Sequence, residues 1–220
     1  MIEAKPAYRY RLTFRKKRQV KYVGHLDTVT TWTRAFRRAQ IPLAYSEGFN
    51  PHAKIQVAAS LPVGYVSQGE IMDIYLTEPK EPAAIKADVG STLPAGFELI
   101  GVEAVETKSP TLQHALQHAD YQVTAETDLS AAEIEQRIEA LLAQDKVLQA
   151  RIRRKKKETY DLRPLLHDLK LAAKENGDAI LIMRVSAGQH GNLRPEAVLE
   201  ALGFGDVWYE VERRRLIFDT

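Results

Sequence analysis

The 220-residue sequence predicts an α+β fold made of two tandem ferredoxin-like modules. In the first half, period-two alternation and helical spacing follow one another in the order β-α-β-β-α-β, the split-βαβ arrangement. A second series with the same order begins after about residue 120. The composition, 45% hydrophobic and 27% charged, is that of a globular protein with enough apolar residues for a core in each half.

The first module is predicted over residues 1–107. Its strands are expected at residues 8–14, 54–60, 70–77 and 97–106, and its helices at residues 26–40 and 82–92. The first helix has an apolar stripe at helical spacing, formed by Leu26, Val29, Trp32, Phe36 and Ala39. A short extended segment is expected before it at residues 20–23, and Pro42 prevents its continuation.

A linker is expected at residues 108–120, and a second module at residues 121–220. Its first helix begins at Asp128 or Ser130, where Glu133 would complete a capping box with Ser130. Its last helix is expected at residues 195–202, with Pro195 in the first turn and Gly203 at its end. Strands are expected at residues 121–127, 147–153, 179–186 and 207–218, with room for a turn near Glu212 and an extended segment or hairpin arm at residues 160–171.

The chain contains no cysteine, which excludes disulfides, a cysteine nucleophile, thiolate-bound zinc and an iron–sulfur cluster held by its own thiolates. Residues 1–8 lack the apolar region of a signal peptide, and no run of about 18 apolar residues predicts a membrane span. Gly-rich phosphate loops and the HExxH and GxSxG motifs are also missing. We therefore expect a cytoplasmic protein without a cofactor, a membrane segment or a self-contained catalytic motif.

The formal net charge of +2 conceals a strong segregation of charge along the chain. Residues 1–60 hold 12 Lys and Arg against 3 Asp and Glu, whereas residues 61–150 hold 5 against 15 and residues 151–220 hold 14 against 11. This asymmetry favours a basic face for an anionic partner. The alternative is that the acidic middle segment packs beside the basic start.

The basic face is expected to bind nucleic acid. Arg34, Arg37 and Arg38 lie opposite the apolar stripe of the first helix, and guanidinium forks match phosphates well. In the loop at residues 46–52, Phe49 would either stack on a base or fill the edge of its own core. The predicted nucleic-acid-binding residues are Arg15, Lys16, Lys17, Arg18, Lys21, Arg34, Arg37, Arg38, Phe49, Asn50, His52 and Lys54.

A secondary basic patch is predicted where six of seven consecutive residues are cationic, namely Arg151, Arg153, Arg154, Lys155, Lys156 and Lys157. We expect this run on a hairpin, where it either contacts phosphate or is simply solvated.

Three histidines are candidates for chemistry. His25 lies near the start of the first helix among cations, where it would act as a general base on a ribose 2′-OH or cap the helix. His114 and His118 have the spacing of a metal-binding pair on a helix, but no third ligand is evident, so we expect no metal site.

Several motifs resemble one protein family. They are HLD at residues 25–27, RAFRRA at 34–39, PL at 42–43, SEGFNPH at 46–52, LPVG at 61–64, GE at 69–70, DLRP at 161–164 and GNLRP at 191–195. Together they resemble the radical SAM-linked family of unknown function, DUF2344. The resemblance implies a radical SAM protein as partner, which would hold the iron–sulfur cluster with its own cysteines. A fold-level analogy also connects the tandem modules with RAMP proteins of the Cas6 type.

These observations lead to three functional hypotheses. The leading one is an RNA-binding accessory or substrate-presenting partner of a radical SAM enzyme. The second is a metal-independent endoribonuclease of the RAMP type that uses His25. The third is a protein-interaction module that binds no nucleic acid.

Overall fold

A computed structural model describes residues 8–153, 156–189 and 191–219. For residues 151–153, 156 and 157 it describes the backbone alone. The chain divides into two compact units: unit 1 ends at Leu116, and unit 2 is Gln117–Asp219. Each unit combines antiparallel strands with helices, which confirms the predicted α+β class. Among the described residues, no helix is long and apolar enough to cross a membrane.

Unit 1 has the ferredoxin-like order of elements. They are β1 (Tyr8–Lys16), α1 (His25–Arg38), β2 (Ile55–Val57), β3 (Val66–Leu76), α2 (Pro82–Gly90), β4 (Phe97–Val105) and the short helix α3 (Leu112–Ala115). The strands are antiparallel in the order β4-β1-β3-β2. This is the split-βαβ arrangement that the sequence predicts.

The core of unit 1 lies between α1 and one face of its sheet. The register places Leu12 opposite Met72 on β3 and Val102 on β4, so alternate residues of the strands share a face. Trp32 of α1 is completely buried, with its ring centroid 4.8 Å from that of Phe14. Because rings of this size bury a large apolar area, they fix one face of α1 on the sheet and leave the other outside.

Unit 2 repeats the same order with an inserted hairpin. Its elements are β5 (Leu116–Glu126), α4 (Ala131–Leu142), β6 (Leu148–Arg153), β7 (Lys156–Asp161), β8 (Leu166–Glu175), β9 (Asp178–Ser186), α5 (Pro195–Ala201) and β10 (Tyr209–Phe218). The sheet of unit 2 has the order β10-β5-β9-β8, whereas β6 and β7 pair with each other as a separate hairpin. The capping box is confirmed, since Glu133 N donates to Ser130 Oγ at 3.3 Å and Ser130 N donates to Glu133 Oε2 at 2.8 Å.

The prediction is wrong about which strand follows α4 in this sheet. Residues 148–153, predicted as a sheet strand, form one side of the hairpin. The sheet strand is β8, in a region where only an extended segment or arm is expected. The register of β8 against β9 shifts between Leu166 and Asp168, and again between Leu171 and Ala173. These irregularities interrupt the alternation by which a strand is recognised.

Three boundaries also differ from prediction. Residues 116–120 belong to β5 and not to a linker, because pairing with β9 begins at His118. Residues 20–23 are not extended: Val20 N donates to Lys17 O and Val23 N to Val20 O, which makes a 3-10 turn. β10 continues through residue 212 without a turn.

The buried face of α1 differs from the predicted stripe. Its buried residues are Thr28, Trp32, Ala35 and Phe36. Leu26, predicted to belong to the core, is 78% exposed. Six residues before Trp32, it lies about 120° around the helix from that side chain.

A buried ion pair holds the end of unit 1 on its sheet. Arg9 of β1 and Asp73 of β3 are both buried, and Arg9 Nε donates to Asp73 Oδ2 at 2.9 Å. Arg11 Nε donates to Asp73 Oδ1 at 3.0 Å. Arg9 also donates to the carbonyl oxygens of Ser109 and Pro110, at 2.7 and 2.8 Å. The segment after β4 is thereby attached to the sheet face opposite the one that α1 covers.

Replacing Asp73 with alanine should lower the free energy of unfolding by about 3–5 kcal/mol, because Arg9 would keep a buried charge without its carboxylate. Asp88→Ala is the matched control, since its partly exposed pair with Lys80 should contribute less than about 1 kcal/mol. Chemical denaturation of both variants measures the difference. Equal losses in the two variants would show that the buried pair does not hold the fold.

Candidate nucleic-acid interface

The cations of β1, and Lys17 directly after it, are largely matched within unit 1. Arg9 and Arg11 bind Asp73, and Arg15 and Lys17 lie 3.5 and 2.8 Å from Glu98. The hydrogen bond and the charge of Lys17, with a smaller contribution from Arg15, lower the pKa of Glu98 below its ordinary value. These ion pairs reduce the contribution of Arg15 and Lys17 to the predicted basic face.

Lys16, predicted to bind nucleic acid, is buried instead. Its Nζ donates to the carbonyl oxygens of Val23 and Lys21, at 2.8 and 3.2 Å. An ammonium group has three donors, and here at least two of them satisfy carbonyls of the turn that leads into α1. Its inclusion in the surface site is therefore corrected: Lys16 fixes the approach to the helix.

The three arginines of α1 are exposed, as predicted from the helix pattern. Arg37 Nε donates to Tyr45 Oη at 3.2 Å, and Arg38 Nη2 donates to the carbonyl oxygen of Thr92 at 2.7 Å. Arg34 has no hydrogen bond or ion pair with any described residue. Within the described part of the chain, no carboxylate forms an ion pair with any of the three guanidinium groups.

The loop at residues 46–52 projects Phe49 into solvent. Its base is closed by a bridge between Tyr45 and Ala53 and by hydrogen bonds from Ser46 N to His52 O (2.8 Å) and from His52 N to Ser46 Oγ (3.0 Å). Gly48, with a φ of 118°, provides the turn, since residues that carry a Cβ rarely adopt this backbone conformation. The ring of Phe49 is fully exposed, so it does not fill the edge of its own core.

This loop and α1 meet through Tyr45. The Arg37 guanidinium carbon lies 5.9 Å from the Tyr45 ring centroid, in addition to the hydrogen bond to its hydroxyl. Asn50, His52 and Lys54 are also exposed. We call the combined set the α1 surface; it consists of Arg34, Arg37, Arg38, Tyr45, Phe49, Asn50, His52 and Lys54.

Lys21 and Arg18 lie at the other end of α1, in the turn that precedes it. Lys21 Nζ lies 5.1 Å from the ring centroid of Tyr22. His25 is the first residue of α1 and is half-buried. Among the described residues it has no side-chain hydrogen-bond partner, so nothing there orients its ring as a general base.

Sequence reasoning missed Tyr22, Tyr45 and Val63 as surface residues of this region. Tyr22 and Val63 are 73% and 60% exposed. Their signals were present but weak: Tyr22 directly follows the basic turn, and Val63 stands between Pro62 and Gly64, where a core residue is not expected.

The secondary basic patch is only partly described. Arg154 and Lys155 lie outside the described residues. Arg151 and Arg153 are on β6 and Lys156 and Lys157 on β7, where the register pairs Arg153 with Lys156. Their side chains also lie outside what the structure describes.

The candidate metal pair is separated by secondary structure. His114 is in α3 and His118 on β5, so they do not share a helix face. His118 instead contacts His167, with ring centroids 4.3 Å apart, and His167 Nε2 lies 2.7 Å from Ser186 Oγ. No group of three or more metal-ligating side chains occurs among the described residues. Although His167 is exposed, its pKa is lowered from 6.5, first by partial desolvation of its ring and then by His118, Arg184 and Arg163.

Comparison with known families assigns the chain to one of them. Residues 9–195 match the model of a family described as "Uncharacterized protein conserved in bacteria (DUF2344)". The chain belongs to the DUF2344 family. This confirms the resemblance to DUF2344, and the match covers most of unit 1 and extends into unit 2 as far as residue 195.

Two solved structures resemble the DUF2344 protein. A chain of "Crystal Structure of a Cbf5-Nop10-Gar1 Complex" has a TM-score of 0.54 at 11% identity, covering 94% of this protein and 48% of that chain. A chain of "Structure of H/ACA RNP bound to a substrate RNA containing 2'-deoxyuridine" has a TM-score of 0.47 at 11% identity, covering 93% and 46%. The protein thus spans about half the length of each chain, and the first likeness supports the fold alone. A search of curated proteins found no match.

Lowering the pH from about 8 to about 5 should reduce the free energy of unfolding through His167. Above 6.5 its ring is neutral in both states. Below 6.5 the unfolded chain takes up a proton that the folded state resists, so stability falls until the pH passes the lower, folded-state pKa.

Denaturant unfolding at several pH values between about 5 and 8 measures the slope of the free energy of unfolding against pH. His167→Gln should flatten it, whereas His114→Gln, which leaves the contact between His167 and His118 intact, should not. A slope unchanged in His167→Gln would assign the titration to another group.

Proposed function

We propose that this DUF2344 protein binds RNA through the α1 surface and presents it to a partner enzyme. The observation that carries the proposal is the group of three exposed arginines on α1, none of which pairs with a described carboxylate. Most β1 cations, by contrast, have carboxylate partners.

The spacing of the arginines suits a polyanion. Arg34 and Arg38 lie one turn apart, about 6 Å along the helix axis, and Arg37 lies beside them. Three cations this close repel one another unless an anion lies between them. Phosphate meets this need, because a guanidinium group donates two parallel hydrogen bonds to its oxygens.

The exposed ring of Phe49 favours nucleic acid over a simple anion. A fully solvated phenylalanine at a loop tip gains nothing from the core, whereas every base offers a face on which it can stack. Ferredoxin-like modules of the RRM type also read RNA with aromatic side chains, an analogy at the level of fold.

The proposed partner is a radical SAM enzyme. This rests on the family resemblance and on the absence of cysteine from the chain, which leaves any iron–sulfur cluster to the partner. We further propose a cytoplasmic location, and a division into two domains that correspond approximately to units 1 and 2.

Replacing Arg34, Arg37 and Arg38 together with alanine should weaken RNA binding roughly tenfold or more at low salt, and should reduce the slope of log affinity against log salt by about 2. Fluorescence anisotropy with a labelled single-stranded RNA, between about 50 and 200 mM salt, measures both quantities. The matched control replaces the exposed Lys86, Lys108 and Lys146, which removes the same charge elsewhere.

The corresponding triple lysine variant keeps the charge and should retain most of the salt slope, which separates loss of charge from loss of folding. Absence of RNA binding by the wild-type protein at low salt, or equal affinity of the arginine and control variants, would contradict the proposal. Co-purification with a radical SAM protein, combined with no RNA binding by the wild-type protein at low salt, would instead favour a protein-interaction role.

A further inference from the structure

The outer side of α1 is a continuous exposed stripe. Leu26, Thr30, Arg34 and Arg37 are all exposed and are separated by four, four and three residues. Positions at these spacings lie along one side of a helix. From Leu26 to Arg37 the stripe extends for about 17 Å along the helix axis.

An apolar patch lies at the N-terminal end of this stripe. Its members Tyr22, Leu26 and Val63 are among the most exposed large apolar residues described. The segments that carry them are joined, because Gly64 N donates to Lys21 O at 2.8 Å and a Cβ on Gly24 would lie 3.8 Å from Val63 Cγ2. Exposed apolar side chains on adjoining segments are available to a ligand.

Hydrogen bonds from the buried Lys16 hold the backbone on both sides of Tyr22. Buried Lys16 donates to the carbonyl oxygens of both Lys21 and Val23, on either side of Tyr22. Lys21 Nζ approaches the Tyr22 ring, which remains largely exposed. A presented ring beside a cation is the arrangement by which single-stranded nucleic acids are held, with the base on the ring and the phosphate at the cation.

The geometry points to single-stranded RNA lying lengthwise along α1, with one base on Tyr22, another on Phe49, and the intervening phosphates at Arg34 and Arg37. This inference rests on the proposed RNA binding and specifies its substrate class. The two rings flank opposite ends of the stripe, since Tyr22 precedes the helix and the Phe49 loop adjoins Arg37 through Tyr45. A duplex hides its base faces within the stack, so it cannot occupy both rings.

Binding of short RNAs to the wild-type protein tests the inference directly. Affinity for single strands should rise with length until both rings are reached, at about four nucleotides or more, and should exceed that for a duplex of the same sequence. Equal affinity for the duplex would overturn the inference while leaving the proposed function intact, because phosphate contacts alone do not require unpaired bases.

Tyr22→Ala and Phe49→Ala should each weaken single-strand binding about 5- to 150-fold without changing the salt slope, since stacking releases no counterions. Trp208→Ala, which removes an exposed aromatic ring from unit 2, is the matched control and should bind like wild type. Tyr22→Phe and Phe49→Trp keep a ring and should restore binding.

Three outcomes separate the two proposals. Binding that is lost in the arginine variant but retained in both ring variants overturns the stacking inference alone. No binding by any form of the protein overturns both proposals. A concentration-dependent dimer in sedimentation that Tyr22→Ala abolishes would assign the apolar patch to a second copy of the chain, and would likewise overturn the stacking inference.

Discussion

The buried carboxylate of Asp73 matches the charges of two arginines on the first strand of unit 1. It binds Arg9 and Arg11 of β1, while the remaining donors of Arg9 hold the carbonyl oxygens of Ser109 and Pro110. A buried guanidinium group tolerates such a position only when its charge and its N–H groups are matched. The pair therefore fixes β1 beside β3 and attaches the segment after β4 to the sheet.

The cations of the first sixty residues consequently serve two purposes. Those of β1 stabilise the sheet through Asp73 and Glu98, and Lys16 anchors the turn before the helix. Those of α1 lack a described carboxylate partner and extend outward beside an exposed aromatic loop. The net charge of residues 1–60 counts the paired cations of β1 and the cations of α1 equally. It therefore overstates the positive charge that is available to attract an anion.

The order of elements follows from the sequence because alternation and helical spacing record which faces are buried, and Trp32 and Phe36 identify the inner side of α1 correctly. The prediction for Leu26 is wrong because apolar character alone does not bury a residue whose side chain lies a third of a turn around the helix from the buried face. β8 is missed because two register shifts break its period. The ion pairs of β1 depend on contacts between residues distant in sequence, which no local pattern records.

The β6–β7 hairpin has a consequence for how proteins of this family can diverge. It lies outside the sheet order of unit 2, between α4 and β8, and its two ends meet where Leu162 N donates to Val147 O at 2.9 Å. Because this hydrogen bond closes the base of the hairpin, a family member with a longer hairpin, a hairpin of different charge or no hairpin would keep the same sheet. Changes in the hairpin are therefore compatible with the sheet of unit 2.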